Sequence, residues 1–304
     1  MGSVGLVRSL ALSFLPALLL IASPAAAQPQ AANWMAVDQA LGRAGVTQPD
    51  GVRRYGFPRS DLHVTLDGVT IKPALALGGW IAFMPSDNGA MAMGDLVLLE
   101  SEVSPVMTRM LEGGLQVTAV HNHLLRATPE TFYLHIAGRG DPAKIATAIR
   151  DALASSKTPL TAPQAASTAP SIDLDTAQID QIIGAKGKSA GGVYQIAVQR
   201  GDEISEDGMQ LRPAPPLGVA TGINFQPTGS GKAAITGDFV LLGSEVNPVI
   251  QALKAGGIEI TAVHSHMLDE QPRLFFLHFW ANDDAVKLAK GLRAALDQTK
   301  RASR

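Results

Sequence analysis

Apolar and polar positions follow one another along this chain as short strands and amphipathic helices, in a succession that occurs twice. Apolar runs bounded by glycine and proline predict the strands. An N-cap residue before a proline, with a glycine pair further on, predicts each first helix. In the first occurrence these elements are a strand at 96–99, a helix from Ser104-Pro105 to Gly113-Gly114, strands at 115–123 and 131–137, and a closing helix from Asp141. The order β-α-β-β-α indicates an α+β fold.

The second occurrence is a copy of the first. Residues 94–137 align without a gap with residues 237–280, and 22 of the 44 aligned positions are identical. The repeated elements are a strand at 239–242, a helix from Asn247-Pro248 to Gly256-Gly257, strands at 258–266 and 273–280, and a closing helix near Asn282. Self-similarity at a constant offset indicates a duplicated structural unit.

The duplication divides the chain into segments. We expect a signal peptide at 1–27, a first module at 28–153, an Ala/Ser/Thr/Pro-rich linker at 154–171 and a second module at 172–304. Each module is expected to be a mostly antiparallel sheet with two packed helices. The two modules are expected to be related by a pseudo-two-fold axis, as the subunits of a homodimer are.

The N-terminus has the features of a secretory signal peptide. Arg8 precedes an apolar run at 10–22, and the small residues at 25–27 suit cleavage. The mature chain is then expected to begin at Gln28 and to be periplasmic or secreted, with no stable membrane anchor. The apolar run is short for a membrane span and Pro16 interrupts it. An uncleaved N-terminal anchor is the alternative.

Charge and cysteine content narrow the range of partners. The chain has 25 Lys and Arg against 27 Asp and Glu, which gives a net charge of −2 and no electrostatic attraction to nucleic acid. We therefore expect no nucleic-acid partner. Cysteine is absent, so that a metal site could use only nitrogen and oxygen ligands. Composition leaves open whether a ligand is a small molecule or an envelope component.

Six of the seven histidines occupy equivalent positions in the two copies. They are His121, His123 and His135 in the first copy, and His264, His266 and His278 in the second. Residues i and i+2 of a strand point to the same side, so each H-x-H pair presents two imidazoles together. A short loop can return the next strand, with its histidine, beside them. Three neutral imidazoles are common ligands of Zn²⁺, the favoured ion, and they also suit Cu²⁺ and Ni²⁺.

Carboxylates near the histidines could complete such a site. Glu102 and Glu245, equivalent residues in the loop just before the first helix of each copy, are the candidate fourth ligands. The same residues could instead serve only to stabilise the helix N-terminus. Asp95 and Asp238 are the next candidates, as ligands or as partners that orient the histidine rings. The alternative to a metal site is a buried histidine cluster held by hydrogen bonds.

Several motifs resemble those of the LppY/LpqO family of bacterial exported proteins. They are GDLVLLESEVSPVM, GGLQVTAVHNHLL, GKAAITGDFV, GDFVLLGSEVNPVI and TAVHSHMLDEQPRLFFLHFWAND. The resemblance covers nearly all of the mature chain, and it implies a cell-envelope location and a double-module structure. That family is one of unknown function, so no catalytic residue carries over. The lipid-attachment cysteine of some members is absent from this chain.

The histidine spacing is also similar to the zinc site of acetolactate decarboxylase and of related zinc-dependent ester hydrolases. This similarity implies that the histidines are zinc ligands and that Glu102 or Glu245 adds a carboxylate. No nucleophile motif, phosphate loop or dinucleotide fingerprint is present. We therefore expect an exported metal-binding protein, such as a metal-dependent hydrolase or lyase. The alternative is a non-catalytic envelope binding or structural module whose histidines serve packing.

Overall fold

The computed structural model describes residues 1–2, 33–161, 171–212 and 214–302. The predicted signal peptide beyond its first two residues, the predicted mature start at Gln28 and positions 162–170 of the predicted linker lie outside these ranges. None of the helices in the described ranges is long and apolar enough to cross a membrane.

The first module contains eight strands and four helices between residues 33 and 161. In chain order they are α1 (Trp34–Leu41), β1 (Val46–Thr47), β2 (Arg53–Pro58), β3 (Thr65–Leu66), β4 (Val69–Thr70), α2 (Pro73–Ala76), β5 (Gly78–Ser86), β6 (Gly89–Leu99), α3 (Glu100–Glu112), β7 (Gln116–His121), β8 (Thr131–Gly140) and α4 (Pro142–Leu153).

The described part of the second module contains nine strands and three helices. In chain order they are α5 (Thr176–Ile183), β9 (Lys188–Ala190), β10 (Val193–Val198), β11 (Ser205–Glu206), β12 (Met209–Gln210), β13 (Thr221–Gly229), β14 (Lys232–Leu242), α6 (Gly243–Ala255), β15 (Glu259–His264), β16 (Glu270–Gln271), β17 (Leu274–Asp284) and α7 (Ala285–Leu296).

Each module is built on a six-stranded antiparallel sheet, and the two sheets have the same strand order. The order is β1-β2-β5-β6-β8-β7 in the first sheet and β9-β10-β13-β14-β17-β15 in the second. This correspondence confirms the α+β class and the duplication. Each module also begins with a helix that the sequence analysis did not predict. This helix is α1 in the first module, where it packs on α4, and α5 in the second, where it packs on α7.

Alternate residues of each strand face the helices and the other sheet. In β6, Ala92 and Leu96 pack with the helices in the core of the first module. Met93 and Val97, on the opposite face, lie in cores that also contain residues of the second module. The two sheets therefore pack face to face, and the helices cover their outer sides.

The first long helix of each module begins earlier than predicted. Helix α3 starts at Glu100, so that Pro105 lies inside the helix and Ser104 is not its N-cap. The reason is that Glu102, in the first turn, accepts a hydrogen bond of 2.9 Å from the Leu99 backbone N–H. This carboxylate satisfies an N–H at the helix start, the role expected of Ser104. Helix α6 begins in the same way.

A buried ion pair fixes each of these helix starts. Arg59 Nη1 lies 2.6 Å from Glu102 Oε2, and Arg200 and Glu245 form the equivalent pair at 2.6 Å. Glu102 also accepts a hydrogen bond of 2.8 Å from the backbone N–H of Lys157. Residues near 157, at the start of the predicted linker, therefore pack on the first module.

Replacing Glu102 by Ala is expected to lower the free energy of unfolding by about 3–5 kcal/mol, because it removes the main partner of a buried guanidinium. The matched control is Glu112→Ala in the same helix. Glu112 pairs with the exposed Arg109, so this control should cost less than about 1 kcal/mol. Denaturant unfolding measures both. Equal effects in the two variants would contradict the structural role given to Glu102.

Candidate metal centre

A central strand of each sheet carries one histidine into the space between the sheets. His135 of β8 lies directly opposite Asp95 of β6, and His278 of β17 lies directly opposite Asp238 of β14. Directly opposite residues of antiparallel strands project from the same face. Tyr133, two residues before His135, packs in a core that both modules share. His135 therefore faces the second module.

A β-bulge turns the edge-strand histidine to the same side. Val117 of β7 pairs with Ile136, but the next paired residue, Ala119, lies opposite His135. One extra residue is thus inserted, and it reverses the alternation of faces that follows. His121, two residues after Ala119, faces the other module instead of the helices. An equivalent register shift interrupts β15.

The two histidine triads form a single cluster. Three close ring pairs join the modules, with centroid separations of 3.6 Å for His121–His264, 3.6 Å for His123–His278 and 3.7 Å for His135–His266. The duplication makes His123 equivalent to His266 and His135 equivalent to His278, so the second and third pairs are equivalent to each other. His121 is equivalent to His264, so the first pair is equivalent to itself. The pseudo-two-fold axis therefore passes between His121 and His264.

The ring nitrogens lie close enough together to hold metal ions. One nitrogen from each residue lies within 4.8 Å of the others in two groups, which are His121, His264, His266 and His278, and His121, His123 and His135. Ligands at 2.0–2.1 Å from a tetrahedral zinc ion are separated by about 3.4 Å. The nitrogens of either group would have to move towards one another by at most about 1.4 Å to reach that spacing. His121 belongs to both groups.

Every ring of the cluster has an unsatisfied nitrogen. The Nε2 atom of each of the six histidines is buried and has no hydrogen-bond partner in the described part of the chain. A buried polar atom without a partner costs about 1–3 kcal/mol. In His278 the Nδ1 atom lies 2.9 Å from the Gly237 carbonyl oxygen. A proton on Nδ1 donates to that oxygen, which leaves the Nε2 lone pair free for a metal ion.

Asp95 and Asp238 face the histidines across a gap. The Oδ1 atom of Asp95 lies 3.7 Å from Nε2 of His135, and neither of these two buried atoms has a hydrogen-bond partner in the described chain. The carboxylate of Asp238 lies 3.9 Å from the rings of His266 and His278. These distances are too long for hydrogen bonds. The structure therefore places both aspartates where they could complete or support a metal site.

Glu102 and Glu245 lie away from the cluster. Their carboxylates bind Arg59 and Arg200 and cap the two helices. Neither belongs to a group of potential metal ligands among the described residues. The expectation that they supply a fourth ligand is therefore corrected, because the buried ion pairs already use both of their oxygens. The carboxylates near the histidines are those of Asp95 and Asp238.

The electrostatics of the cluster keep the imidazoles neutral. Burial lowers the pKa of His121 to about 3 and that of His264 to about 4. The pKa values of the other four are well below the usual histidine value, because of burial and the charges of neighbouring rings. Neutral imidazole is the form that binds metal. Burial raises the pKa of Asp95 to about 7, and burial together with the nearby Asp95 raises that of Asp238.

A cavity of about 310 Å³ opens beside the cluster. Its wall includes four of the histidines, both aspartates, and Arg54 and Trp80, which the sequence did not identify as site residues. Strand pairing places Arg54 opposite Ala82 in the first sheet and Gln195 opposite Asn224 at the equivalent place in the second. The residue equivalent to Arg54 is therefore Gln195. The sequence analysis found the other site residues because they occur in both copies. It missed Arg54 because the second copy has no arginine at the equivalent position.

Comparisons with known proteins identify a family but no activity. The family described as "Domain of Unknown Function (DUF1259)" matches residues 35–155 and again residues 177–298. No curated protein matches the chain. The trimeric bacterial microcompartment shell protein PduB matches at 17% identity, over 84% of this chain and 90% of its own, with a TM-score of 0.22. EtuB from Clostridium kluyveri matches at 10% identity, over 85% and 95%, with a TM-score of 0.20.

The metal-free protein is expected to lose stability as the pH falls from about 6.5 towards 4. Below 6.5, the ordinary histidine pKa, the unfolded chain takes up protons at six histidines that stay neutral in the fold. The unfolded state then binds more protons, so acid favours it. Asp95 and Asp238 act in the opposite sense, because their raised pKa values let the fold hold protons that the unfolded chain has released. The six histidines outweigh them.

Denaturant unfolding of chelator-treated protein across this range measures the effect. The slope should exceed about 1.4 kcal/mol per pH unit, the value for one proton. His63, the seventh histidine, is exposed, so His63→Gln should leave the slope unchanged. A free energy of unfolding that stays flat or rises on acidification would contradict the burial of neutral imidazoles.

Proposed function

The chain belongs to the family described as Domain of Unknown Function (DUF1259), of which it contains two copies, and we propose that its two modules together bind a divalent metal ion. The observation that carries the proposal is the convergence of six buried Nε2 atoms that have no partner among the described residues. Hydrogen bonds that could satisfy them are absent from that part of the chain, and a metal ion would satisfy several at once.

Zn²⁺ fits this donor set best. Zinc accepts both imidazole nitrogen and carboxylate oxygen in a tetrahedral arrangement, whereas Mg²⁺ and Ca²⁺ prefer oxygen ligands alone. Cu²⁺ and Ni²⁺ also bind imidazole, and metal analysis separates them from zinc. Asp95 and Asp238 would act as further ligands or would orient the rings.

The two histidine groups favour different roles. Four histidines would close the coordination sphere of a tetrahedral ion, which suits a structural or storage site. The group of His121, His123 and His135 would leave one position open, and two of these residues line the cavity. An open position beside a cavity supports a metal-dependent hydrolase or lyase. Zinc in such a site supplies Lewis acidity and lowers the pKa of bound water.

We further propose that the protein acts outside the cytoplasm, in the periplasm or as a secreted protein. The support is the signal-peptide pattern at the N-terminus and the resemblance to the LppY/LpqO exported proteins. The near-neutral net charge supports a small-molecule or envelope ligand in preference to nucleic acid.

A second candidate function is a non-catalytic envelope module whose histidines only pack. The observation that favours it is the stacking of the rings, for example His123 on Tyr133 at a centroid distance of 3.3 Å and His266 on Phe276 at 3.6 Å. Under this alternative the rings contribute apolar contact area and the Nε2 atoms stay unsatisfied.

Replacing His266 by Phe separates the two functions, because phenylalanine keeps a stacked ring and removes the nitrogens. Protein purified without a histidine tag should contain metal, and Zn²⁺ at 100 times its Kd should raise the free energy of unfolding by about 2.7 kcal/mol. His266→Phe should lose the metal held by the four-histidine group, to which His266 belongs, and the part of this response that comes from that group. Elemental analysis and thermal unfolding provide the two measurements.

The control variant is His63→Ala, an exposed histidine outside the cluster, which should keep the metal and the response. Wild-type protein that contains no metal and shows no stabilisation by Zn²⁺, Cu²⁺ or Ni²⁺ would overturn the metal centre. A His266→Phe protein that is as stable as the wild type would then support the packing function.

A further inference from the structure

The wall of the cavity beside the histidines carries an arginine with few partners. Arg54 donates one hydrogen bond, from Nη1 to the carbonyl oxygen of Pro216. No carboxylate oxygen in the described chain lies within ion-pair distance of it, whereas the buried Arg59 and Arg200 each have two carboxylate partners. Asp95 stabilises its charge from beyond ion-pair distance, but holding a desolvated cation without a directly bonded carboxylate is costly. This arrangement is typical of a charge that binds a ligand.

The guanidinium is also held in a fixed orientation. Its central carbon lies 4.1 Å from the centroid of the Trp80 ring, in a cation–π contact. Burial lowers the pKa of Arg54 to about 10, so the side chain stays positively charged at neutral pH. A stacked, charged guanidinium with an unused edge is suited to two parallel hydrogen bonds with a planar carboxylate.

Strand pairing aligns this arginine with the metal centre. Trp80 of β5 lies opposite Asp95 of β6, and Asp95 lies opposite His135 of β8. Arg54 rests on Trp80 at the end of this row. On the second sheet, Gly222 of β13 pairs with Asp238 and lines the same cavity. An added Cβ at Gly222 would have no atom within 4 Å, so the missing side chain leaves room there.

We propose that this cavity binds a small carboxylate-bearing molecule, with the carboxylate on Arg54 and the rest of the molecule directed towards the histidine cluster. A volume of about 310 Å³ is at the lower end for small-molecule sites, so the ligand has few non-hydrogen atoms. The proposal rests on the proposed metal centre only for the part of the ligand that is directed towards the histidine cluster. The Arg54 contact itself needs no metal.

The test is an NMR titration of the protein with propionate, with its neutral analogue propionamide and with inorganic phosphate. Each is run on metal-loaded and on chelator-treated protein. Propionate should bind both forms, and Arg54→Gln should weaken its binding to chelator-treated protein at least about tenfold, because a charge-assisted pair is lost. Propionamide should bind weakly and without dependence on Arg54. Arg212→Gln, at an exposed arginine, should leave propionate binding unchanged.

A second variant guards against misfolding of Arg54→Gln. Gly222 and Asn224 lie two apart on β13 and both line the cavity, so Gly222→Leu should project into it and abolish propionate binding while Arg54 remains. The control is Gly243→Leu at the exposed start of α6, where an added Cβ would make only an ordinary contact with Phe275, and it should leave propionate binding unchanged.

Each outcome decides one claim. Propionate that binds Arg54→Gln or Gly222→Leu as well as the wild type overturns the carboxylate site, and so does Arg54-dependent binding of phosphate alone. Elemental analysis of the same samples tests the metal centre separately. Protein that lacks metal but binds propionate through Arg54 would overturn the proposed function and leave the carboxylate site in place.

Discussion

Six imidazole rings lie between two β-sheets, and their buried Nε2 nitrogens must either find partners or remain unsatisfied at a cost in free energy. Each of the six has a buried Nε2 without a partner in the described chain, and one such atom costs about 1–3 kcal/mol. The total would be comparable to the whole stability of a typical domain. The proposed metal ion would satisfy several of these nitrogens in one place, and it would account for a site to which both modules contribute ligands.

The fold places these rings through a few local features that occur in both copies. Bulges in β7 and β15 redirect the edge histidines towards the other sheet. Gly94 and Gly237 precede the two aspartates, and an added Cβ at either would collide with a neighbouring residue. The copies differ where Arg54 and Trp80 have Gln195 and Gly222 as counterparts. The symmetric part of the interface thus holds the histidines, and the asymmetric residues Arg54 and Trp80 add to the wall of the same cavity.

The sequence predicted the features that depend on local pattern. The offset between the copies identified two equivalent modules, and the spacing of the apolar runs identified strands around His135 and His278. It did not predict the bulges, since one inserted residue leaves no mark in a short apolar run. It placed the start of α3 at Ser104, because the competing cap at Glu102 depends on distant Arg59. Neither the merging of the triads nor the role of Arg54 follows from local pattern, because both arise from packing between modules.

The central claim is that residues of both modules bind one metal centre, and crystallography with anomalous scattering tests it most directly. Diffraction data from zinc-loaded crystals, collected on both sides of the zinc absorption edge, should show an anomalous peak in the histidine cluster. We expect this peak at about 2.0–2.1 Å from ring nitrogens of His121 and of residues from the second module. A map with no peak between the sheets, or with zinc bound only at surface residues, would contradict the account.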